Sequence, residues 1–312
     1  MIDLAQYRRF FAEEIEAVAK LQTPGLVEAL ATVPREQFLR PGPWNVLADS
    51  DFMSGTARTR TTPDADPRRV YHNIVVAIDP ARQLFNGQPS TLTVWIDALA
   101  LKPGARVLHI GCGLGYYAAI LAQAVGPSGR VIAYEVDEAL AAEARQNLAF
   151  LSWVDVRHGD ASRILDERVG TGLRILDERA GAGPREHDEY AAILVNAGVT
   201  HPLDVWLDAL AVGGRMIVPL TGMMPAMGSN IGKGLVWLLT KQDDGSFAAR
   251  VIAMVAIFSA LGVRDERLNQ RLGEAMLSGP GRWTAVKRLR RDAHDASPSC
   301  WFHADRCCLS LA

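Results

Sequence analysis

The chain has 312 residues, of which 49% are hydrophobic, and a formal net charge of −2 at pH 7. This length fits one large domain with additions, and the near-neutral charge argues against general binding to nucleic acids or anionic membranes. No run reaches the roughly 18 apolar residues that span a bilayer, and residues 1–20 lack the apolar core of a signal peptide. We therefore expect a cytoplasmic protein with neither a nucleic-acid nor a membrane partner.

The first predicted region, residues 1–98, combines helices with loops that face a substrate. Apolar residues recur at helical spacing from Leu4 to Leu21, and a shorter helix is predicted from Leu26 to Ala31. The stretch Ser50–Arg69 is rich in Thr, Arg, Asp and Pro, which is typical of a loop.

The second region, residues 99–260, alternates strands with helices, which favours a parallel sheet covered on both faces. The predicted strands are 106–110, 130–135, 154–157, 190–195 and 215–219. The predicted helices are 115–125, 137–150 and 203–210. Two further strands, 234–240 and 250–258, flank the turn Asp243–Gly245 and predict an antiparallel hairpin at the edge of the sheet.

The third region, residues 261–312, is a mixed C-terminal extension that we expect to pack on the core. Three of the four cysteines lie here: Cys300, Cys307 and Cys308. With His303 nearby, one interpretation is a metal cluster, but the adjacent pair Cys307–Cys308 lacks the ligand spacing of a zinc site. The favoured interpretation is reduced thiols in a C-terminal strand and no bound metal.

A short tandem repeat lies in the second region. Arg163–Arg168 recurs as Arg174–Arg179, and glycines follow both copies. The unit is too short for a solenoid, so we interpret it as a duplication that lengthens a surface loop before strand 190–195.

A glycine-rich turn, Gly111–Gly115, joins strand 106–110 to the next helix. Glycine permits the sharp turn and a close backbone approach to a ligand, and N–H groups at the helix start can face that ligand. The turn alone fits a dinucleotide site nearly as well, or a plain tight turn. The dinucleotide fingerprint places a third Gly or Ala where Tyr116 lies, and this spacing favours a methyltransferase over a nicotinamide enzyme.

Two acids lie where such a fold needs them. Glu135 ends the next strand, where a carboxylate can accept both ribose hydroxyls; the alternative is a solvated acid at a strand end. Asp160 follows the third strand and can accept from an adenine amino group, or act as a helix N-cap, or do both.

Three segments resemble protein-L-isoaspartate O-methyltransferases. Val107–Tyr116 resembles the first motif of that family, Val33–Phe38 its "VPRE-F" segment, and Gly213–Pro219 its "PGGRLVIPVG" strand. The likeness covers residues 15 to 220. It implies an α/β fold with a seven-stranded, mostly parallel Rossmann-like methyltransferase sheet and an antiparallel edge hairpin. It also implies S-adenosylmethionine as cofactor and S-adenosylhomocysteine as product.

The resemblance assigns the glycine turn to the methionine part of the cofactor, Glu135 to the ribose and Asp160 to the adenine. The expected cofactor contacts are His109, Gly111, Cys112, Gly113, Gly115, Tyr116, Glu135, Val136, Asp160, Ala161 and Asn196.

The substrate segment departs from the family pattern. Where the family has "GQTIS-P", this chain has Asn86–Thr93, in which Gly87 and Gln88 match and Pro89 replaces the first Thr. The hydroxyl function then falls to Ser90 or Thr91, with Gln88 as a substrate contact. Position 109, usually acidic in the family, is His109. These departures, together with the long C-terminal extension, favour a divergent member that acts on another acceptor, such as a modified peptide. The resemblance as a whole implies transfer of a methyl group to a carboxylate of a protein or peptide, isoaspartyl or related.

Two alternatives stay open. A small-molecule O- or N-methyltransferase needs a general base, and His201 is the leading choice because ligands of open α/β sheets bind beyond the carboxyl ends of strands. Thr200 would contact that acceptor and His72 would line the entrance; the plainer interpretation of both histidines is a surface or capping residue. The other alternative is a cofactor-binding module without catalysis. The oligomeric state stays open.

Overall fold

The computed structural model describes residues 3–47, 59–163, 189–223 and 231–312. Its helices are α1 (Leu4–Ala19), α2 (Pro24–Thr32), α3 (Pro89–Ala98), α4 (Tyr116–Val125), α5 (Glu138–Asn147), α6 (Asp204–Asp208), α7 (Glu266–Leu277) and α8 (Pro280–Trp283). Its strands are β1 (Asn45–Leu47), β2 (Arg60–Thr61), β3 (Val75–Asp79), β4 (Leu84–Phe85), β5 (Arg106–Ile110), β6 (Arg130–Glu135), β7 (Val154–His158), β8 (Tyr190–Val195), β9 (Leu210–Met223), β10 (Ile231–Lys241), β11 (Phe247–Phe258), β12 (Arg288–Arg290), β13 (Cys300–His303) and β14 (Cys308–Ser310).

The main sheet confirms the predicted α/β class. Its order is β13-β14-β12-β11-β10-β9-β8-β5-β6-β7, and β9, β8, β5, β6 and β7 run parallel to one another. The predicted strands 106–110, 130–135 and 190–195 are confirmed to the residue. These strands are mostly apolar and almost entirely buried, as expected for parallel strands that are covered on both faces.

The C-terminal extension corrects the predicted strand count. The described sheet has ten strands rather than seven, because β12, β14 and β13 continue it beyond the hairpin. The hairpin of β10 and β11 is antiparallel as predicted. Among the described residues, β12 pairs with β11 only at Phe247 and Ala248, so the extension covers only the start of β11.

Side chains that alternate along the strands form one apolar layer on each face of the sheet. Val107 and Val131 pack in the layer with α1, α2, α3 and α4, whereas Leu108 and Ile132 pack in the layer with α6 and α7. Helix α3 was not predicted. It begins at Pro89, where the missing N–H costs nothing, and it buries Trp95 completely.

A smaller sheet of order β2-β1-β3-β4 lies beside the main one and encloses a small core around Trp44 and Val76. Most of the tandem repeat and the Met-rich loop at 224–230 lie outside the described residues, as does much of Ser50–Arg69. Within the described parts of the chain, no helix has both the length and the apolar character required to cross a membrane. The division of the chain at residues 98 and 260 stays a prediction.

Candidate active site

A cavity of about 540 Å³ lies at the carboxyl ends of the parallel strands. The glycine turn and the end of β6 form one wall, and the segment from Leu84 to Leu92 forms the second. Residues of β10, β11 and α7 complete it. The volume falls within the range of small-molecule and cofactor sites, which is several hundred cubic ångströms.

The glycine turn holds its shape through left-handed backbone and close packing. Gly111 has φ +77°, and a Cβ there would lie 3.2 Å from the carbonyl oxygen of Asn196. Gly115 has φ +97°, and a Cβ there would lie 2.7 Å from Cδ1 of Leu148. Any larger residue at these two positions would be strained and would also meet its neighbours, so the turn requires glycine.

Glu135 is the acid that fixes the turn to the next strand. Its side chain is buried; Oε2 accepts the N–H of Gly113 at 2.8 Å, and Oε1 accepts the N–H of Asp137 at 3.1 Å. An ionised carboxylate has about four acceptor positions, so each oxygen keeps capacity for one more donor. A pair of ligand hydroxyls can therefore bind this carboxylate without breaking either bond.

Asn196 ties the end of β8 to the same turn. Its backbone N–H donates to Ile110 at 2.8 Å, and its side-chain Nδ2 lies 3.4 Å from the carbonyl oxygen of Gly111. Val136 also lines the cavity and is 43% exposed. These contacts arise because β5 and β8 are parallel neighbours, so that their carboxyl ends meet at one edge.

Cys112 and Tyr116 line the cavity as neutral groups. Burial raises the pKa of the Cys112 thiol and of the Tyr116 hydroxyl, so both keep their protons near neutral pH. The Tyr116 ring packs edge-on against Phe38. A buried thiol with a raised pKa is a poor nucleophile, so Cys112 contributes shape rather than chemistry.

Several predicted cofactor residues do not line the cavity. His109 lies inside β5, fully buried, and burial lowers its pKa to about 3, so the imidazole is neutral. Gly115, the last residue of the glycine turn, is the N-cap residue of α4. Asp160 accepts the N–H of Ser162 at 2.9 Å, and the carbonyl of Ala161 accepts from Trp206 Nε1 at 2.9 Å. The capping role of Asp160 is therefore present, and its adenine contact stays a prediction.

The start of α3 forms part of the second wall of the cavity. Gln88 is the N-cap residue, and Gln88 and Thr91 both line the cavity. Ser90 does not line it; the backbone N–H of Ser90 donates to Asn73 Oδ1 at 3.0 Å. The partial positive charge at the start of a helix favours a bound anion, but in α3 the N–H groups contribute little to this, because Pro89 has none and that of Ser90 is already bonded.

Asn86 was missed as a site residue. It lines the cavity, and its Oδ1 accepts the N–H of Val76 at 2.9 Å. Its Nδ2 atom is buried and has no hydrogen-bond partner among the described residues. The signal in the sequence was the position of Asn86 directly before Gly87 and Gln88. The neighbouring sequence does not show that its side-chain oxygen has a hydrogen-bond partner while its side-chain nitrogen has none.

His201, Thr200 and His72 lie away from the cavity lining. The buried Thr200 hydroxyl oxygen accepts the N–H of Asp265 at 3.1 Å and lies 3.0 Å from His201 Nδ1. Burial lowers the pKa of His201, although Asp265 opposes this. His72 is exposed. The three residues thus do not line this cavity, and their roles toward an acceptor stay predictions.

Arg35, in the segment that resembles "VPRE-F", lies outside the cavity and packs next to Tyr116, which lines it. It is fully buried and donates to the carbonyl oxygens of Val70 at 2.6 Å, His72 at 3.0 Å and Ile74 at 2.7 Å. Its guanidinium also lies 5.9 Å from the centre of the Tyr116 ring. Desolvation lowers the pKa of Arg35, but an arginine stays protonated in proteins. Arg35 therefore joins the segment before β3 to the start of α4.

Comparison with known proteins agrees with this arrangement. The sequence model of the protein-L-isoaspartate(D-aspartate) O-methyltransferase (PCMT) family matches residues 47–259. Protein-L-isoaspartate O-methyltransferase 1 of Rhodopseudomonas palustris (strain HaA2) is 33% identical over 218 residues, which cover 69% of each chain. The Methanopyrus kandleri protein-L-isoaspartate O-methyltransferase is 26% identical over 246 residues, covering 78% of this chain and 86% of that protein.

Two solved structures share the fold. One is a protein-L-isoaspartate O-methyltransferase with a TM-score of 0.58 and 22% identity, covering 90% of this chain and 72% of that chain. The other is a putative protein-L-isoaspartate O-methyltransferase from Plasmodium falciparum in complex with S-adenosyl-L-homocysteine. Its TM-score is 0.56 at 15% identity, with coverage of 81% of this chain and 97% of that chain.

The parallel sheet, the glycine turn and the acid that ends β6 define a methyltransferase of the Rossmann-like class. Within that class, the chain belongs to the protein-L-isoaspartate(D-aspartate) O-methyltransferase family.

Proposed function

We propose that this protein transfers a methyl group from S-adenosylmethionine to the carboxylate of an isoaspartyl or closely related residue in a peptide or protein. One observation carries the proposal: a single cavity joins the glycine turn and Glu135 to the start of α3, with Gln88 and Thr91. The relatives that this chain resembles are named for the same reaction.

The cofactor half of the cavity suits S-adenosylmethionine. Glu135 has acceptor positions for the two ribose hydroxyls, and the glycine turn lets the backbone approach the methionine part closely. Methyl transfer is an in-line displacement in which the acceptor oxygen bonds to the methyl carbon as the carbon–sulfur bond breaks, leaving S-adenosylhomocysteine. The protein must align the two reactants and exclude water.

The acceptor half favours a carboxylate over a hydroxyl or an amine. A carboxylate is ionised near neutral pH and needs no base, whereas a hydroxyl or ammonium group must lose a proton. No histidine is found among the described residues that line the cavity, and the one carboxylate there, Glu135, already accepts two N–H groups. By contrast, Asn86, Gln88 and Thr91 offer donors beside the positive end of α3.

The wall of the cavity that contains Met254 and Leu261 exposes apolar side chains that a peptide could cover. Met254 and Leu261 line the cavity and are 74% and 57% exposed. Large apolar side chains that stay in water beside a site are typical of surfaces that contact another molecule. Side chains flanking the reactive residue of a peptide can cover them.

The test is methylation of a matched pair of peptides. The full chain is incubated with radiolabelled S-adenosylmethionine and either an isoaspartyl peptide or its ordinary aspartyl counterpart, and base-labile methyl ester is counted. We expect ester on the isoaspartyl peptide only. We expect Thr91→Val to lower the rate, and Thr32→Val, an exposed position on α2, to leave it unchanged.

Calorimetry with S-adenosylhomocysteine separates the two halves of the proposal. Cofactor binding without ester on either peptide would refute the acceptor assignment. Absence of cofactor binding by a folded chain would refute the proposed function as a whole.

A further inference from the structure

Four side chains with metal-binding chemistry meet in the C-terminal extension. They are His294, Cys300, His303 and Cys308, and one ligand atom from each lies within 4.8 Å of all the others. Cys300 Sγ and His294 Nε2 are 3.7 Å apart. Cys308 is fully buried and the other three side chains are partly buried. None of the four lines the cofactor cavity.

A β-bulge brings two of these residues to one face. Cys300 pairs with Ser310 and His303 with Cys308, with an irregularity in register around Trp301. Residues two apart on β14 share a face, but their partners on β13 are three apart. The bulge adds one residue to β13, so Cys300 and His303 face the same side of the sheet even though they are three residues apart. Trp301 and Phe302 stay in the core.

The adjacent cysteines Cys307 and Cys308 lie in different environments. Neighbouring residues near a strand point to opposite sides, so Cys307 enters the apolar core while Cys308 joins the cluster. The sequence interpretation weighed the pair Cys307–Cys308 as ligands. The cluster instead uses one of the two, with partners from β13 and from the segment before it.

The surroundings hold the ligand atoms in place. His294 Nδ1 lies 2.8 Å from the carbonyl oxygen of Asp292, so Nδ1 carries the proton and the Nε2 lone pair faces Cys300. The N–H of Ser297 donates to Cys300 Sγ at 3.4 Å. His303 Nδ1 is buried without a hydrogen-bond partner among the described residues. An imidazole fixed through its second nitrogen is typical of metal-bound histidines.

We propose that His294, Cys300, His303 and Cys308 bind one Zn²⁺ ion. Zinc prefers four nitrogen and sulfur ligands in a tetrahedron, at about 2.3 Å from sulfur and about 2.1 Å from nitrogen. Those lengths place neighbouring ligand atoms roughly 3.4–3.8 Å apart. The 3.7 Å between Cys300 and His294 lies in this range, and the 4.8 Å limit for the whole set exceeds it by about 1 Å.

A site with four protein ligands has no open position for a substrate, so the ion is structural. It joins β13, β14 and the segment that carries His294. These elements form the outer end of the ten-stranded sheet. Because the ion binds the folded chain, its binding free energy stabilises this end against unfolding.

The experiment measures metal in the full-length, reduced chain. The protein is stripped with a chelator, repleted with zinc, desalted, and its zinc content is measured by mass spectrometry. A parallel sample is repleted with Co²⁺ for its absorption spectrum. Cys308→Ala is compared with Cys307→Ala, because both thiols are buried and adjacent but only Cys308 is in the cluster.

We expect one zinc per chain, a thiolate-to-cobalt absorption band with tetrahedral cobalt bands, and a fall in Tm of about 5 °C or more on zinc removal. Cys308→Ala should lose the ion and Cys307→Ala should keep it. If Cys308→Ala does not fold, the cobalt spectrum of the unmodified chain decides. A reduced chain that takes up no zinc, a cobalt spectrum without thiolate absorption, or a folded Cys307→Ala chain that also loses the ion would overturn the proposal.

Discussion

Glu135 holds the glycine turn and, in the proposed function, also binds the ribose of the cofactor. Each of its oxygens already accepts a backbone N–H, from Gly113 and from Asp137. In Glu135→Gln, one oxygen becomes an NH2 group that faces a donor. We expect binding of S-adenosylhomocysteine to weaken by about tenfold or more, since hydrogen bonds to charged groups contribute about 1.5–3 kcal/mol.

Calorimetry of Glu135→Gln checks this prediction, with Glu138→Gln as the control because Glu138 is exposed in the first turn of α5. Equal affinities of the two variants would contradict the role of Glu135.

Arg35 is a buried cation that donates hydrogen bonds to three backbone carbonyl oxygens. Arg35→Met keeps most of the apolar stem but leaves the carbonyls of Val70, His72 and Ile74 without this donor. We expect the free energy of unfolding to fall by about 3 kcal/mol or more, because each buried acceptor left unpaired costs about 1–3 kcal/mol.

Urea denaturation measures the effect of Arg35→Met. Arg9→Met is the matched control: its ion pair with Glu28 is half exposed, and such a pair is worth less than about 1 kcal/mol. Similar losses in both variants would show that burial of Arg35 is not the cause.

At the scale of elements, α7 connects the C-terminal extension to the site. Met276 lines the cavity from α7, beyond the residues that match the family. We expect Met276→Ala to raise KM for the peptide several-fold through lost apolar contact, with no change in cofactor affinity.

Leu277→Ala is the control for Met276→Ala, because Leu277 is the next residue and is 87% exposed. Steady-state kinetics at saturating cofactor separates the variants. Unchanged KM in both would place the acceptor elsewhere.

At the scale of the whole molecule, His109 should make the free energy of unfolding depend on pH. Burial lowers its pKa to about 3, so below about pH 6.5 the unfolded chain binds a proton that the folded chain does not. Stability therefore falls as pH falls through this window. Between pH 7.5 and pH 5.0, we expect the chain to lose about 2 kcal/mol more than His109→Leu does.

Urea denaturation at the two pH values tests this, and the difference between the chains removes the contribution of every other titrating group. Parallel pH dependence in both chains would show that His109 titrates normally.

Local patterns were sufficient for the predictions that held. Strands 106–110, 130–135 and 190–195 are confirmed to the residue because each is a short, mostly apolar segment bounded by turn residues. Helix α3 was missed because Pro89 and the β-branched residues that follow it have low helix propensity, so that only burial of Trp95 in the core stabilises the helix.

By itself, the sequence determined the α/β class, the glycine turn, the acid that ends β6 and the family, because each rests on short motifs or apolar runs that can be recognised one at a time along the chain. Only the tertiary structure decided which distant groups meet. It joined β12–β14 to the main sheet, directed Arg35 to three carbonyls, left His201 outside the cavity, and brought His294 beside Cys300. The physical reason is that pairing of short strands and burial of polar groups depend on contacts between remote segments, and those contacts leave no periodic signal in the chain.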